Sequence, residues 1–454
     1  MLTPGSYRRR TVTDRQRANV NISDTPSTTT AKLGPTMRFA LASYGTRGDI
    51  EPSAAVGREL VRRGHDVCLA VPPELVGFVE SIGLAAVPYG PKVEEFLDEE
   101  FLRNMWTDFF RNPIRQVSKV WDPLIKYWGD ASTTLKSLAD GVDLLSTGLN
   151  FEQAAANVAE YYDIPLASLH HFPMRTNGRL VPSVPSPLVR STMAMIEWLF
   201  WRSTKKVDNA QRRELGLPKA THRSQRRIAD HGWLEIQTYD DVFFPGLAAE
   251  WAKWGSRRPF VGALTMELAT DADDDVASWI ASGTPPICFG SGSIPVESPT
   301  ATVEMIGAAC AQLGERALIC FGGTDFSDVP HFDHVKVVGP VNYASIFPAC
   351  RAVVHHGGSG TTAASLRAGI PTLALWSSAD QPYWAAQIKH LKVGTARRFS
   401  ATTPGSLVAD LRTILAQDYA TRARELSARM SKPAESVGTT ADLLEDAARR
   451  KALA

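Results

Sequence analysis

Ala352-Val353-Val354-His355-His356-Gly357-Gly358-Ser359-Gly360-Thr361-Thr362-Ala363-Ala364-Ser365-Leu366-Arg367-Ala368-Gly369 is the stretch from which the rest of the chain can be read. Its short β-branched run gives a buried strand. A Gly-rich turn follows, then an Ala-rich helix with Ser and Thr at its start. Glycines let the backbone come close to a bulky anion. The unpaired N–H groups of a helix's first turn, and its dipole, then favour that anion. Thr361 and Thr362 add hydroxyl donors. The pattern suits a diphosphate, although the same glycines would also serve a plain tight turn. No Gly-Lys-Ser/Thr follows, so it is not a P-loop.

The string His-His-Gly-Gly-Ser-Gly-Thr-Thr resembles the donor-diphosphate motif of family 1 glycosyltransferases. The resemblance implies an α/β chain of two facing Rossmann-like domains, the GT-B fold. It implies a donor site containing His355, Gly357, Gly358, Ser359, Gly360, Thr361 and Thr362. Two further stretches carry the likeness. Phe289-Gly290-Ser291 resembles the family's interdomain donor loop, where the Ser contacts phosphate, and the backbone near Val341 is where the family reads the nucleotide base. In Asp380-Gln381-Pro382 the Asp-Gln pair is placed as in relatives that hold the donor's sugar hydroxyls. A carboxylate and an amide suit a polyol; the plainer alternative is a helix cap before Pro382.

Near the amino terminus, Arg38 to Tyr44 reads as a strand and Gly45-Thr46-Arg47-Gly48-Asp49 as a turn. Ile50-Glu51-Pro52 is expected to start a helix running to about Arg63, with Pro52 in its first turn. Asp66 to Val71 is a second strand. This βαβ unit is no dinucleotide site: the turn is not Gly-x-Gly-x-x-Gly, and no acid ends the second strand. Gly-Thr-Arg-Gly-Asp resembles the sterol, glycopeptide-antibiotic and mycobacterial glycopeptidolipid glycosyltransferase branches. In the antibiotic branch the Asp is the proposed general base, so the resemblance points to Asp49, with Arg47 an acceptor-side candidate. From the residues alone, Asp49 reads first as a cap of the helix; the resemblance favours catalysis, and the two roles need not exclude each other. His170 and His171 end another strand and are further acceptor-side candidates.

Composition bounds these readings. The 454 residues hold 49 Lys and Arg against 48 Asp and Glu, so bulk charge gives no nucleic-acid signal. Five cysteines stand singly with no Cys-x-x-Cys. That points away from zinc and from a disulfide framework, and fits a reducing cytoplasm. No apolar run approaches the ~20 residues of a membrane span. Residues 1–36 read as a disordered leader: no apolar core follows Arg8-Arg9-Arg10, and Ser, Thr, Asn and Pro dominate. Met37 is the expected start of the folded part and a candidate initiator.

The expected organisation is an acceptor-binding domain over 37–247, a linker over 248–284, a nucleotide-sugar domain over 285–430, and a helix over 431–454 returning to the first domain. Strands are expected at Leu234 to Gln237 and at Phe260 to Gly262, and two polar amphipathic helices between Leu407 and Ala452. Phe96, Phe101, Trp106, Phe109, Phe110, Trp121 and Trp128 recur at loose helical spacing, as core packing or as the wall of an apolar acceptor cleft. Leu188 to Phe200 is apolar and runs into Trp201-Arg202, with Lys205 and Lys206 beyond. It reads as a buried helix, a lid over the acceptor, or an amphipathic helix at a membrane surface. Asp271 to Asp275 contains Asp-x-Asp but precedes a short helix and reads as its cap.

The expected activity is metal-independent, inverting transfer of a hexose from a UDP- or TDP-sugar to a hydroxyl of a lipophilic acceptor, without any cofactor. Expected partners are thus a nucleotide sugar and an acceptor such as a glycopeptidolipid or sterol. The alternatives are a nucleotide-sugar epimerase or another enzyme on this fold, and a non-catalytic nucleotide-sugar or glycolipid binder.

Overall fold

The computed structural model describes residues 35–96, 113–292, 298–322 and 329–452. The leader read into residues 1–36 falls almost wholly outside these, as do Phe101, Trp106, Phe109 and Phe110. The folded part consists of two α/β domains, each built on a six-stranded sheet in which neighbouring strands run parallel.

The first sheet contains β1 (Arg38–Ala42), β2 (Asp66–Val71), β3 (Ala85–Pro88), β4 (Leu144–Thr147), β5 (Leu166–His170) and β6 (Leu234–Gln237), in the order β3-β2-β1-β4-β5-β6. The second contains β7 (Ile287–Gly292), β8 (Ala317–Phe321), β9 (Val335–Val338), β10 (Ala352–His355), β11 (Thr372–Trp376) and β12 (Gly394–Arg398), in the order β12-β11-β10-β7-β8-β9. The two orders are the same doubly wound pattern. The winding reverses between β1 and β4 in one sheet and between β7 and β10 in the other. Open sheets of this kind bind ligands at the carboxyl ends of the strands flanking that reversal.

The helices used below are α1 (Arg47–Arg62), α2 (Pro113–Lys126), α3 (Glu152–Tyr162), α4 (Ser186–Glu214), α5 (Asp273–Ala281), α6 (Ser359–Arg367), α7 (Gln381–His390) and α8 (Pro433–Ala452). α1 shows how local sequence becomes packing. Ile50, Ala54 and Leu60 lie on its buried side against Leu41, Leu69 and Val79, and each large apolar side chain so buried contributes about 1.5–3 kcal/mol.

Several boundaries differ from expectation for identifiable reasons. α1 starts at Arg47 with Thr46 as its N-cap, so Pro52 lies inside the helix. There its missing N–H forgoes one hydrogen bond and its ring crowds the carbonyl of Gly48, four residues back. The apolar stretch from Leu188 is part of one helix of 29 residues, α4. Phe260 makes a single bridge to Gln237 and no strand, because the chain is leaving the first sheet at that point. The end of the chain holds three helices, not two: Pro404–Ile414, Gln417–Ser427 and α8, since Ser431-Lys432-Pro433 breaks the polar helical pattern.

α8 lies against α1. Arg63 binds Asp442 at 2.5 Å and Glu445 at 3.1 Å, and His65 Nε2 lies 3.2 Å from Glu445. Ala441, Leu444 and Ala448 complete the core of the first sheet. Arg367, at the end of α6, donates to Ala263 O at 2.8 Å, Thr265 Oγ1 at 3.2 Å and Ser436 Oγ at 3.1 Å. That one side chain ties the second domain to the connecting segment and to α8.

Candidate active site

The carboxyl ends of β1 and β10 open onto one cavity of about 2880 Å³ between the two sheets. After β1 the chain turns at Gly45, whose φ of +142° suits glycine, and a Cβ there would collide with the Asp49 carboxylate. Asp49 Oδ2 accepts from Thr46 N–H at 2.8 Å and from Thr46 Oγ1 at 3.1 Å. Asp49 therefore closes a capping box with the N-cap Thr46, and that box holds its side chain at the cavity wall. Burial pushes its pKa up to about 6, with a further rise from the charge of Asp380 and an opposing pull from the Thr46 hydrogen bonds. Such a carboxylate is ionised at neutral pH yet more basic than an ordinary one.

On the other side, β10 ends in His355 and α6 begins at Ser359 with Gly358 as N-cap. Gly357 has φ +86°, and its N–H donates to His355 Nδ1 at 2.9 Å. Burial depresses the pKa of His355 to about 3, so the ring is neutral and its proton belongs on Nε2. That nitrogen is buried and has no partner among the described residues, while His355 lines the cavity. The first helical bond of α6 is Thr362 N–H to Gly358 O at 2.9 Å. The amides of Ser359, Gly360 and Thr361 are left without intrahelical acceptors, and all three residues line the cavity. The loop thus presents amide, hydroxyl and imidazole donors to an anion at a positive helix end.

The loop after β11 supplies Asp380 and Gln381. Asp380 Oδ2 accepts from Trp384 Nε1–H at 3.0 Å, and burial raises the carboxyl's pKa. Gln381 Oε1 accepts from Ser377 N–H at 2.8 Å and Ser378 N–H at 3.2 Å, which leaves its amide N–H groups for a ligand.

Of the residues singled out in the sequence, Arg47, Asp49, His171, Val341, His355, Gly358, Ser359, Gly360, Thr361, Asp380 and Gln381 all line this cavity. Ser291 lies at the end of β7, and its side chain is outside the described residues. Three others do not line it. His170 is wholly buried, bonded to Glu152 at 2.9 Å in a network with Arg175 and Glu235. Strand β5 points it into that network, so it is no candidate for contact with acceptor. Thr362 is also wholly buried, because its place in α6 turns it towards the sheet. Gly357 shapes the turn and spends its N–H on His355.

His171 does face the cavity. Thr238 Oγ1 donates to His170 O at 3.1 Å and so accepts from His171 Nδ1 at 3.0 Å. Burial holds the ring neutral, with pKa near 4, and Nε2 carries a lone pair. Arg47 is exposed, 3.8 Å from Glu51 and 4.6 Å from the centre of the Phe78 ring.

The first-domain wall carries the apolar side chains of Trp121 and Leu124 from α2 and of Val189, Met193, Ile196 and Phe200 from α4, beside the charged Lys119, Asp122 and Lys126 of α2 and Glu197 of α4. Asp-x-Asp serves structure, but not as a side-chain cap of α5, whose N-cap is Ala272. Asp273 accepts from Thr270 N–H at 2.8 Å and Asn342 N–H at 2.9 Å at the start of α5. Among the described residues no three of His, Cys, Asp or Glu are grouped as a metal would require, and no helix is long and apolar enough to cross a membrane.

Sequence reading missed three contributors. Thr46 orients Asp49, and its place three residues earlier was a visible capping signal. Trp384 holds Asp380, and the i, i+4 spacing was likewise legible. Glu51 lines the cavity beside Asp49, its pKa raised by burial despite accepting from Met266 N–H at 3.2 Å; nothing local in the sequence marks it.

Comparison with known proteins agrees with this geometry. The glycosyltransferase family 28 N-terminal domain matches residues 39–135, and the erythromycin biosynthesis protein CIII-like C-terminal domain matches residues 310–445. An uncharacterized glycosyltransferase of Mycobacterium tuberculosis is 63% identical over 417 residues, covering 91% of this chain and 100% of that one. The glycosyltransferase GtfE of Amycolatopsis orientalis is 27% identical over 429 residues, covering 90% and 97%. Among solved structures, the glycosyltransferase VinC in complex with DTDP shares the fold with a TM-score of 0.62 at 18% identity, covering 91% and 100%.

Proposed function

This chain belongs to the nucleotide-sugar-dependent glycosyltransferases of family 1, and from that premise we propose that it moves a hexose, with inversion and without metal, onto a hydroxyl of a lipophilic acceptor. One observation carries the reading: Asp49 at the end of β1 and the anion-binding start of α6 after β10 face the same cavity.

The steps follow from the groups present. The donor's diphosphate would lie on the amides of Ser359, Gly360 and Thr361, with His355 Nε2–H as a further donor. Asp380 and the Gln381 amide would hold the hexose hydroxyls. Asp49 would accept the proton of the acceptor hydroxyl while its oxygen bonds to the anomeric carbon. The bond from that carbon to the diphosphate oxygen breaks on the opposite face, which inverts the configuration. Charge developing on the leaving diphosphate meets donors already in place, the arrangement that lowers such barriers most. The two domains shield the reacting carbon from water. The apolar side chains that α2 and α4 turn to the cavity, Trp121, Leu124, Val189, Met193, Ile196 and Phe200, favour an acceptor with a lipophilic part. VinC binds thymidine diphosphate, and the donor here is proposed to be a thymidine or uridine diphosphate sugar.

The test is a panel of UDP- and TDP-sugars incubated with a lipid extract. Products are read by mass and the anomeric configuration by NMR. Donor-dependent gain of one hexose with inverted configuration is expected. Retention, or isomerisation of the donor with no acceptor present, contradicts the proposal.

A further inference from the structure

The cavity uses only one face of α4. Met195 and Trp198 on the other side, and Leu188 at the cavity's edge, are 55%, 43% and 58% exposed, three of the seven large apolar side chains so exposed among the described residues. Residues seven, ten and fourteen positions apart share a helix face, so Arg202 continues the stripe, followed by Lys205 and Lys206. Among the described residues no carboxylate pairs with these three cations. Arg202 lies 5.7 Å from the centre of the Trp198 ring, and Lys205 lies 4.7 Å from that of Trp201. The one acid in this part of the helix, Glu197, is turned aside: it accepts from Thr176 N–H at 2.8 Å and lies 3.7 Å from Arg223.

We propose that this face of α4 docks on an anionic lipid bilayer. Apolar and indole side chains beside unopposed cations match the boundary between acyl chains and negative headgroups, where Lys and Arg reach outward while their stems stay apolar. Charge decides between the candidate occupants. A second copy would set these cations against their own kind, whereas a negative bilayer complements them. Met195, Trp198 and the cations lie outside the cavity, and Leu188 joins the two. Leu188 both lines the cavity and is exposed, which puts the cavity wall next to the lipid from which a lipophilic acceptor would come.

The experiment sediments the full chain with phosphatidylcholine vesicles, with and without phosphatidylglycerol. The comparison variants are Met195→Ser/Trp198→Ser and Lys205→Glu/Lys206→Glu, none of which touches the cavity. Wild type should pellet with the anionic vesicles only, and less so as salt rises. Each basic side chain near an anionic surface contributes about fivefold, so the double charge reversal should weaken partition by at least about 25-fold. Both variants should keep wild-type melting and wild-type donor hydrolysis, which separates this proposal from the reading of the active site. Absence of wild-type pelleting, or equal pelleting by the variants, overturns it. So does a dimer in ultracentrifugation that Met195→Ser/Trp198→Ser abolishes.

Discussion

The carboxylates of Asp49, in the first turn of α1, and Asp380, the N-cap of α7, belong to different domains yet sense each other across one cavity, the charge of Asp380 raising the proton affinity of Asp49. If Asp49 is the base, it must be ionised to work. The acid limb of kcat/KM should therefore fall through an apparent pKa of about 6. Removing a like charge lowers the pKa of the remaining acid, so Asp380→Asn should move that limb to lower pH. A pH–rate profile of each protein checks the sign, and an unmoved or raised limb counts against the coupling.

Asp380 should also discriminate between ligands. Asp380→Ala is expected to weaken binding of the nucleotide sugar while leaving the free nucleoside diphosphate nearly unaffected. A lost hydrogen bond to a charged group costs ~1.5–3 kcal/mol, about ten- to hundredfold in affinity. Calorimetry with both ligands makes the comparison, and equal losses would assign Asp380 to structure through its bond to Trp384.

His355 gives the reverse pattern. With Nδ1 occupied by Gly357 and Nε2 left as a donor, His355→Ala should weaken nucleoside diphosphate and nucleotide sugar alike, by about ten- to hundredfold. Binding of both at wild-type strength would remove His355 from the diphosphate site.

Turnover should survive strong chelation, because the proposed stabilisation of the leaving group comes from amides, hydroxyls and a neutral imidazole. Assays with and without EDTA decide this. Loss of activity that magnesium or manganese restores would require a different mechanism.

The sequence was most informative where chemistry is local. The strand, turn and helix around His355 to Thr362 are encoded by β-branched residues, glycines and hydroxyls within one short stretch, and the helix begins where that pattern places it. What escaped depends on packing. The start of α1 was misplaced because Pro52 looks like a first-turn residue, whereas the capping box of Thr46 and Asp49 starts the helix at Arg47. The site of His170 at a strand end was legible; the Glu152 and Arg175 side chains that enclose it come from other segments. Thr361 and Thr362 look equivalent in sequence, yet the turn of α6 gives one to the cavity and the other to the core. The Asp49–Asp380 coupling needs both sheets in place and has no local signature.

Asp49→Asn is the most direct test. Asn keeps the size of the side chain and an oxygen to accept from Thr46, so the cap persists, but it cannot take a proton. A positioned general base contributes ~10²–10⁴-fold, and kcat should fall by that much with donor affinity unchanged. An acid whose pKa is higher folded than unfolded costs stability when ionised, so the variant should melt at or slightly above the wild-type temperature at pH 8. If Asp49 only caps α1, the same variant would turn over at nearly the wild-type rate, and His171, with its Nε2 lone pair on the cavity, would become the base to examine.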